Sequence, residues 1–401
     1  MKYLFFVIVY FLSGFLEEQR IMDTTLRHDR YFESGRKFYQ GSVPVVVLHG
    51  SWFQMGRQYG ALMRDELEKV YAFACKNKAD SCYRNLLGDP ETPSSITGLR
   101  RYDELFRGMS QTSYLTLEQL RIVNAVEVLC LDQVSSGLQR IFDSSRCSTL
   151  AACADRTYDG KTIVGRNYDW LPEFKEIADT LVLSIFHPAD GSNAVASFNW
   201  SGCMYLTTGM NNKGLYLGLN SGFFADPVLK TERIHNVWML WEILCNSDEF
   251  AAVRRYFNTT RAAASYLILG ASPAETECFQ WHTKGVWESG PRSGDLLAAS
   301  NHFASEGWIN DPLAESTQFA SSVQRRENLL ALAKNHSRIG VEEMMQILSV
   351  PFPEGGAKVD GTLFQIIASP ADQTWYIRTC CMDDWAQIPM FNLLRVNGEL
   401  V

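Results

Sequence analysis

One stretch of the chain concentrates residue types that could do chemistry. Arg146-Cys147-Ser148-Thr149 opens a run of small residues to Asp155, Asp159-Gly160 follows, and the next segment ends Gly165-Arg166-Asn167-Tyr168-Asp169-Trp170. The pattern predicts a strand, a tight turn and a returning strand that carries Arg166 and Asp169 back towards Cys147. A thiol titrates at about 8.5, and a guanidinium beside it favours the thiolate. If the Arg146–Cys147 bond is cut, Cys147 gains an α-amine, titrating at about 7.7–8.0, within reach of its own sulfur. One residue then supplies nucleophile and base without a histidine, and Asp169 is placed to hold the amine. Strict alternation sets positions 166 and 169 on opposite faces, so the strand must end or bend near Asn167 for both to serve one site.

The elements that must position these residues change character near residue 145. Upstream the chain reads mainly helical. Ser51-x-x-Gln54 resembles a capping box, with Tyr59, Leu62, Met63, Leu67, Val70 and Ala74 following at helical spacing. Thr116-x-x-Gln119 opens a second helix, and residues 43–48 form the one convincing strand, ended by His49-Gly50. Downstream, strands are expected at 162–165, 181–186, 194–199, 215–219, 266–269, 277–281, 285–289, 363–368 and 374–378. Helices are expected around 237–245, 322–333 and 341–348. Runs of strands interrupted by runs of helices favour an α+β layered fold over a βαβ arrangement. No glycine-rich loop joins a strand to a helix, which argues against a nucleotide cofactor.

With those residues in place, a resemblance becomes specific. Cys147-x-Thr149 and Gly165-Arg166-Asn167-x-Asp169 look like the N-terminal nucleophile (Ntn) amide hydrolases, a superfamily that includes penicillin V acylase, bile salt hydrolase and β-alanyl-amine hydrolases of insects. The isopenicillin N acyltransferase branch is the most similar. Residues 45–48 with His49-Gly50-Ser51 and Gly56-x-x-Tyr59-Gly60 resemble its propeptide motif. The stretch from Gly209-Met210-Asn211-Asn212-Lys213-Gly214 to Asn220 resembles its central motif, and Ser300-Asn301-His302-Phe303 its Thr-Asn-His-Phe element. The ending from Gly361-Thr362-Leu363-Phe364 to Tyr376 resembles its C-terminal strand pair. The matches run from 43 to 378, nearly the whole chain.

The resemblance implies a four-layer αββα sandwich. It makes Cys147 the nucleophile, Arg166 the arginine beside it, Asp169 the partner of the amine, and Asn220 and Asn301 the oxyanion asparagines. A later bracing arginine maps to Arg325, with Arg326 almost as plausible. It implies residues 22–146 as a propeptide or small subunit and 147–401 as the catalytic part, the two pieces staying associated after a cut between Arg146 and Cys147. Relatives often carry Gly where this chain has Arg146, so a trypsin-like protease remains an alternative to self-cleavage.

The expected reaction is hydrolysis of a linear amide in a small N-acylated amine or amino acid, through an acyl-thioester on Cys147. The alternatives are an acyltransferase passing the acyl group to a second amine and a non-catalytic binding protein on the same fold. A Cys/His/Asn protease is disfavoured because its usual cysteine signature is missing. Trp170, Trp200, Phe223 and Phe224 either line an apolar acyl pocket or pack in the core. Cys153, His302 and His49 read as structural.

The bulk numbers bound the rest. At 401 residues, with 46% hydrophobic and 20% charged, the chain describes a packed globular protein. A formal charge of -8 and no Lys/Arg-rich stripe argue against nucleic-acid binding. Ten cysteines without a Cys-x-x-Cys pair suggest neither a zinc site nor a disulfide scaffold, so no cofactor or metal is expected. Cys75 and Cys82 could bridge if the protein is exported. Lys2 followed by apolar residues 3–12 fits a signal peptide or anchor over 1–21, giving a secreted or lumenal protein, or a cytoplasmic one if translation starts at Met22. Sequons at Asn199, Asn258 and Asn335 are compatible with export, and a homo-oligomer is permitted.

Overall fold

The computed structural model describes residues 29–77, 100–132, 147–222, 224, 225, 230, 233–287, 295–305 and 317–395. Two sheets form its centre. The larger has ten strands: β1 (Arg30–Phe32), β2 (Gly35–Gln40), β3 (Val43–Gly50), β6 (Leu181–Pro188), β7 (Val195–Trp200), β8 (Thr208–Asn211), β9 (Tyr216–Ser221), β10 (Tyr266–Ala271), β11 (Thr276–His282) and β12 (Gly285–Trp287), in that spatial order. The smaller runs β13 (Leu296–Ala299), β4 (Ser148–Ala154), β5 (Gly160–Asp169), β14 (Thr362–Ser369), β15 (Thr374–Thr379) and β16 (Ala386–Pro389). Pairing is antiparallel except between β3 and β6.

The sheets stack face to face through aromatic contacts. Phe198 on β7 meets Phe364 on β14 edge-on at 5.0 Å, and Tyr216 on β9 meets Trp375 on β15 at 6.2 Å. Alternation along β4 then assigns its two faces. Ala151 joins the core between the sheets, whereas Leu150 and Ala152 join a second core beneath α7 (Thr317–Lys334) and α8 (Val341–Ser349). On β5, Val164 faces the other sheet and Ile163 the helices. Gly165 lets β5 and α8 pack closely, because any side chain there would run into Met344 and Leu348 of α8. On the far side, α1 (Trp52–Leu62), α2 (Arg64–Lys76), α3 (Arg100–Ser110), α4 (Leu117–Asp132), α5 (Asn236–Asn246) and α6 (Phe250–Thr259) accompany the ten-stranded sheet. A short α9 (Phe391–Leu394) follows β16. The result is the expected four-layer αββα sandwich.

Several expectations needed correction. Among the described residues upstream of 147 there are three strands as well as helices. β1 and β2 are sequence-polar because they lie at the sheet edge, and β3 enters the sheet beside β6. The helix expected through 59–74 breaks at Met63, whose φ of -115 and ψ of 22 separate α1 from α2. The Ser51/Gln54 capping box is present at the start of α1, and Thr116 and Gln119 exchange the same pair of bonds. β8, β13, β16, α3, α6 and α9 were not anticipated. Arg146, Phe223 and Cys82 fall outside the described residues, so the Cys75–Cys82 pairing and the cut bond do too.

Candidate active site

Cys147 stands immediately before β4, and pairing of β4 with β5 sets Ser148 opposite Asn167 and Thr149 opposite Arg166. Alternation therefore points Arg166 and Thr149 towards the ten-stranded sheet, and Cys147, two residues before Thr149, shares that face. The Cys147 side chain is buried; its thiol donates to the carbonyl oxygen of Asp169 at 3.7 Å, and Arg166 Nη2 reaches its Sγ at 3.7 Å. Arg166, fully buried, also donates to Thr208 Oγ1 and to the Leu219 carbonyl, which ties it to β8 and β9.

The end or bend expected near Asn167 is met by the end of β5 at Asp169, with an irregularity beside it on the partner strand. β5 continues through Asp169, and its register against β14 shifts between Tyr168, opposite Phe364, and Asp169, opposite Thr362. Leu363 and Phe364 both enter the core between the sheets as a result. At this bulge the Asp169 carboxylate accepts a hydrogen bond from Thr362 Oγ1 at 2.6 Å.

Residues distant in sequence close the site. Arg325 on α7 donates through Nη1 to the Cys147 carbonyl and through Nη2 to Asn301 Oδ1, both at 3.0 Å. Asn301, just after β13, donates through its side-chain amide to the Ser221 carbonyl at 2.9 Å, and its backbone N–H donates to the Ser322 hydroxyl at 2.9 Å. Asn220 on β9 accepts from Thr149 Oγ1 at 3.2 Å and donates to the Ala299 carbonyl at 3.3 Å. Each asparagine NH2 group has two hydrogens, so one N–H on each is left beyond the carbonyl bond named. Arg326 is turned elsewhere, to the Ala298 carbonyl at 3.0 Å.

Electrostatics bear out the arginine's pull on the sulfur and set burial against it. Burial pushes the Cys147 thiol above its ordinary value; Arg166 and Arg325 act against this, and Asp169 adds to it. In the uncut chain burial thus outweighs the arginines, and the sulfur is held as a neutral thiol. His302 offers no base: its Nδ1 lies 2.9 Å from Ser322 Oγ and 3.1 Å from Ser300 Oγ, and burial lowers it to about 3.

Trp170 and Trp200 are buried around Phe174, at ring separations of 6.3 and 4.9 Å. Phe224 packs edge-on against Phe319 at 5.6 Å. Asn199 is buried in β7 with its amide on the Tyr205 carbonyl, whereas Asn258 and Asn335 are exposed. Residue-level reasoning missed Thr149, Thr208, Tyr168 and Glu127 as neighbours of the site. Glu127 left a signal, a lone carboxylate between Val126 and Val128 in an apolar helix.

Comparison with known proteins gives a family. A family model described as acyl-coenzyme A:6-aminopenicillanic acid acyl-transferase matches residues 156–380. That span holds Arg166, Asp169, Asn220, Asn301 and Arg325 and begins downstream of Cys147. No curated protein matches. Among solved structures the chain is similar to a Caenorhabditis elegans ortholog of N-acylethanolamine-hydrolyzing acid amidase, at 14% identity and a TM-score of 0.40, covering 56% of this chain and 93% of that one. It is also similar to a mutant of conjugated bile acid hydrolase from Clostridium perfringens (15%, TM-score 0.42, 61% and 93% covered). Penicillin V acylase from Agrobacterium tumefaciens follows at 10% and a TM-score of 0.37, with 61% and 86% covered.

Proposed function

The chain belongs to the acyl-coenzyme A:6-aminopenicillanic acid acyl-transferase family, an amidase and acyltransferase branch of the Ntn hydrolases that acts on acylated amines, and from this we propose that it is a self-activating cysteine amidase. The observation that carries the reading is the double engagement of Cys147, with Arg166 at its sulfur and Arg325 at its carbonyl.

Activation begins with attack of Cys147 Sγ on the Arg146 carbonyl carbon. The Arg146–Cys147 C–N bond breaks as a thioester forms, and the nitrogen leaves as the Cys147 amine. Water then cleaves the thioester, leaving a carboxylate on Arg146 and a free thiol and α-amine on Cys147. In turnover the amine takes the thiol proton, and the sulfur attacks the substrate amide carbonyl. The remaining N–H groups of Asn220 and Asn301 receive the developing oxyanion, each donor contributing about 2.7–4 kcal/mol. The substrate amine leaves with the proton, and water activated by the same α-amine releases the acid. Asp169 holds the amine.

The substrate is a small N-acyl amide. The upstream segment stays bound after the cut, since β3 is paired with β6 and Leu67, Leu120 and Val123 belong to the same core as the sheets. Export, read from the apolar residues 3–12, belongs to the same proposal.

Two results test this. Asp169→Asn keeps an acceptor for Thr362 but removes the charge, so turnover of a chromogenic N-acyl anilide falls about 10²-fold or more with little change in melting temperature. Unchanged turnover removes Asp169 from the mechanism. Acyl transfer is the second reading, favoured by the family's description. Mass analysis of products with an added acceptor amine separates them: the free acid alone means hydrolysis, and a new amide means transfer.

A further inference from the structure

The helix upstream of the cleavage junction buries a carboxylate that the chemistry above leaves unused. Glu127 on α4 is buried, and its two oxygens accept hydrogen bonds from the hydroxyls of Tyr168 and Tyr205. Tyr168 lies two residues beyond Arg166 on β5, and the Arg166 guanidinium carbon is 4.9 Å from its ring centroid. Tyr205 comes from the loop between β7 and β8, braced edge-on by Trp238 of α5 at 5.8 Å, with Cys203 beside it. The groups facing Glu127 are thus Tyr168 and Arg166 from β5 and Tyr205, backed by Cys203, from that loop.

We propose that Glu127 is a positioning residue of the Cys147 site, contributed by the segment upstream of the cut, which fixes Tyr168 and through it the Arg166 guanidinium against the sulfur. This rests on Cys147 being the nucleophile. It also makes the site incomplete without the upstream segment: the cut frees the amine, yet the piece removed from the catalytic chain still holds its arginine in place.

Charge gives the idea a signature that packing alone lacks. Burial raises the Glu127 carboxyl to about 7, with the Tyr205 bond and Arg166 opposing the rise. Above that pH the carboxylate offsets part of the guanidinium field at Cys147; below it, the whole field falls on the sulfur and favours the thiolate. Removing the charge therefore speeds thiolate chemistry at high pH and changes nothing at low pH.

The test is the rate of iodoacetamide alkylation at Cys147 in the full chain, located by mass spectrometry, from about pH 5 to about pH 9. Glu127→Gln keeps the shape, an acceptor oxygen for one tyrosine hydroxyl and an NH2 donor to the other, which then accepts. The native-to-variant rate ratio is expected near one at the acid end and at about one third or below at the alkaline end, with its midpoint at about 7. Tyr205→Phe, which keeps the carboxylate but removes a bond to its charged form, delays its ionisation, so its own native-to-variant ratio falls below one just above about pH 7 and returns to one at higher pH; it serves if the first variant does not fold. Glu127→Ala, which also releases the tyrosines, slows alkylation about tenfold at the acid end, where the native carboxyl is uncharged as well, and by less at the alkaline end. A purely structural role would lower melting temperatures and leave the ratio flat. A flat ratio with native Cys147 reacting overturns this inference alone. A native Cys147 that does not react at any pH overturns it together with the assignment of the nucleophile.

Discussion

Cys147→Ala leaves one uncut chain and abolishes amide turnover. The substitution removes a buried sulfur and no other contact of substance, at a stability cost of about 1 kcal/mol, so the variant folds. Its Arg325 bond is to the backbone carbonyl, which alanine retains. What disappears is the atom placed to attack the Arg146 carbonyl, and with it the later attack on substrate. Loss of a nucleophile in an acyl-transfer enzyme lowers kcat by about 10⁶-fold, beyond detection in an ordinary assay. Gel mobility and initial rates on the N-acyl anilide check both halves. A variant that still splits after Arg146 assigns the cut to another protease.

Asn301→Ala gives the second largest effect. Asn301 joins α7 and β9: its side chain accepts from Arg325 and donates to Ser221 on β9, and its backbone N–H donates to the Ser322 hydroxyl through a bond the substitution spares. Loss of an oxyanion donor lowers kcat by about 10²–10³-fold. The vacated bond to the Arg325 cation costs a further about 1.5–3 kcal/mol of stability. Because the oxyanion exists only in the transition state, kcat and kcat/KM fall together. A raised KM at unchanged kcat makes Asn301 a substrate-binding residue instead.

What was legible in the sequence follows from distance along the chain. Cys147, Arg166 and Asp169 lie on adjacent strands joined by a short turn, so local pairing is enough to bring them together. The irregularity beside Asp169 was not legible, because the extra residue, Leu363, belongs to a strand nearly two hundred residues later. Asn220, Asn301 and Arg325 carry no local signal; an asparagine in a strand or an arginine in a helix is ordinary. They emerged only through motif resemblance, and long-range packing explains why. The break at Met63 has no proline or glycine to announce it. β2 was missed because Arg36 and Lys37 make it look like a loop, although Lys37 is buried with Glu66 as its ion pair. The part of Arg166 in favouring the thiolate was legible from its place beside the cysteine, whereas the opposing effect of burial is not written in the neighbouring residues.

The most direct measurement is intact mass with N-terminal sequencing of the purified protein, made without its first 21 residues. A fragment beginning Cys-Ser-Thr-Leu, absent in Cys147→Ala, is the result expected of a self-cut amidase with Cys147 as its terminal nucleophile. A single native chain, stable for days at neutral and mildly acidic pH, contradicts it.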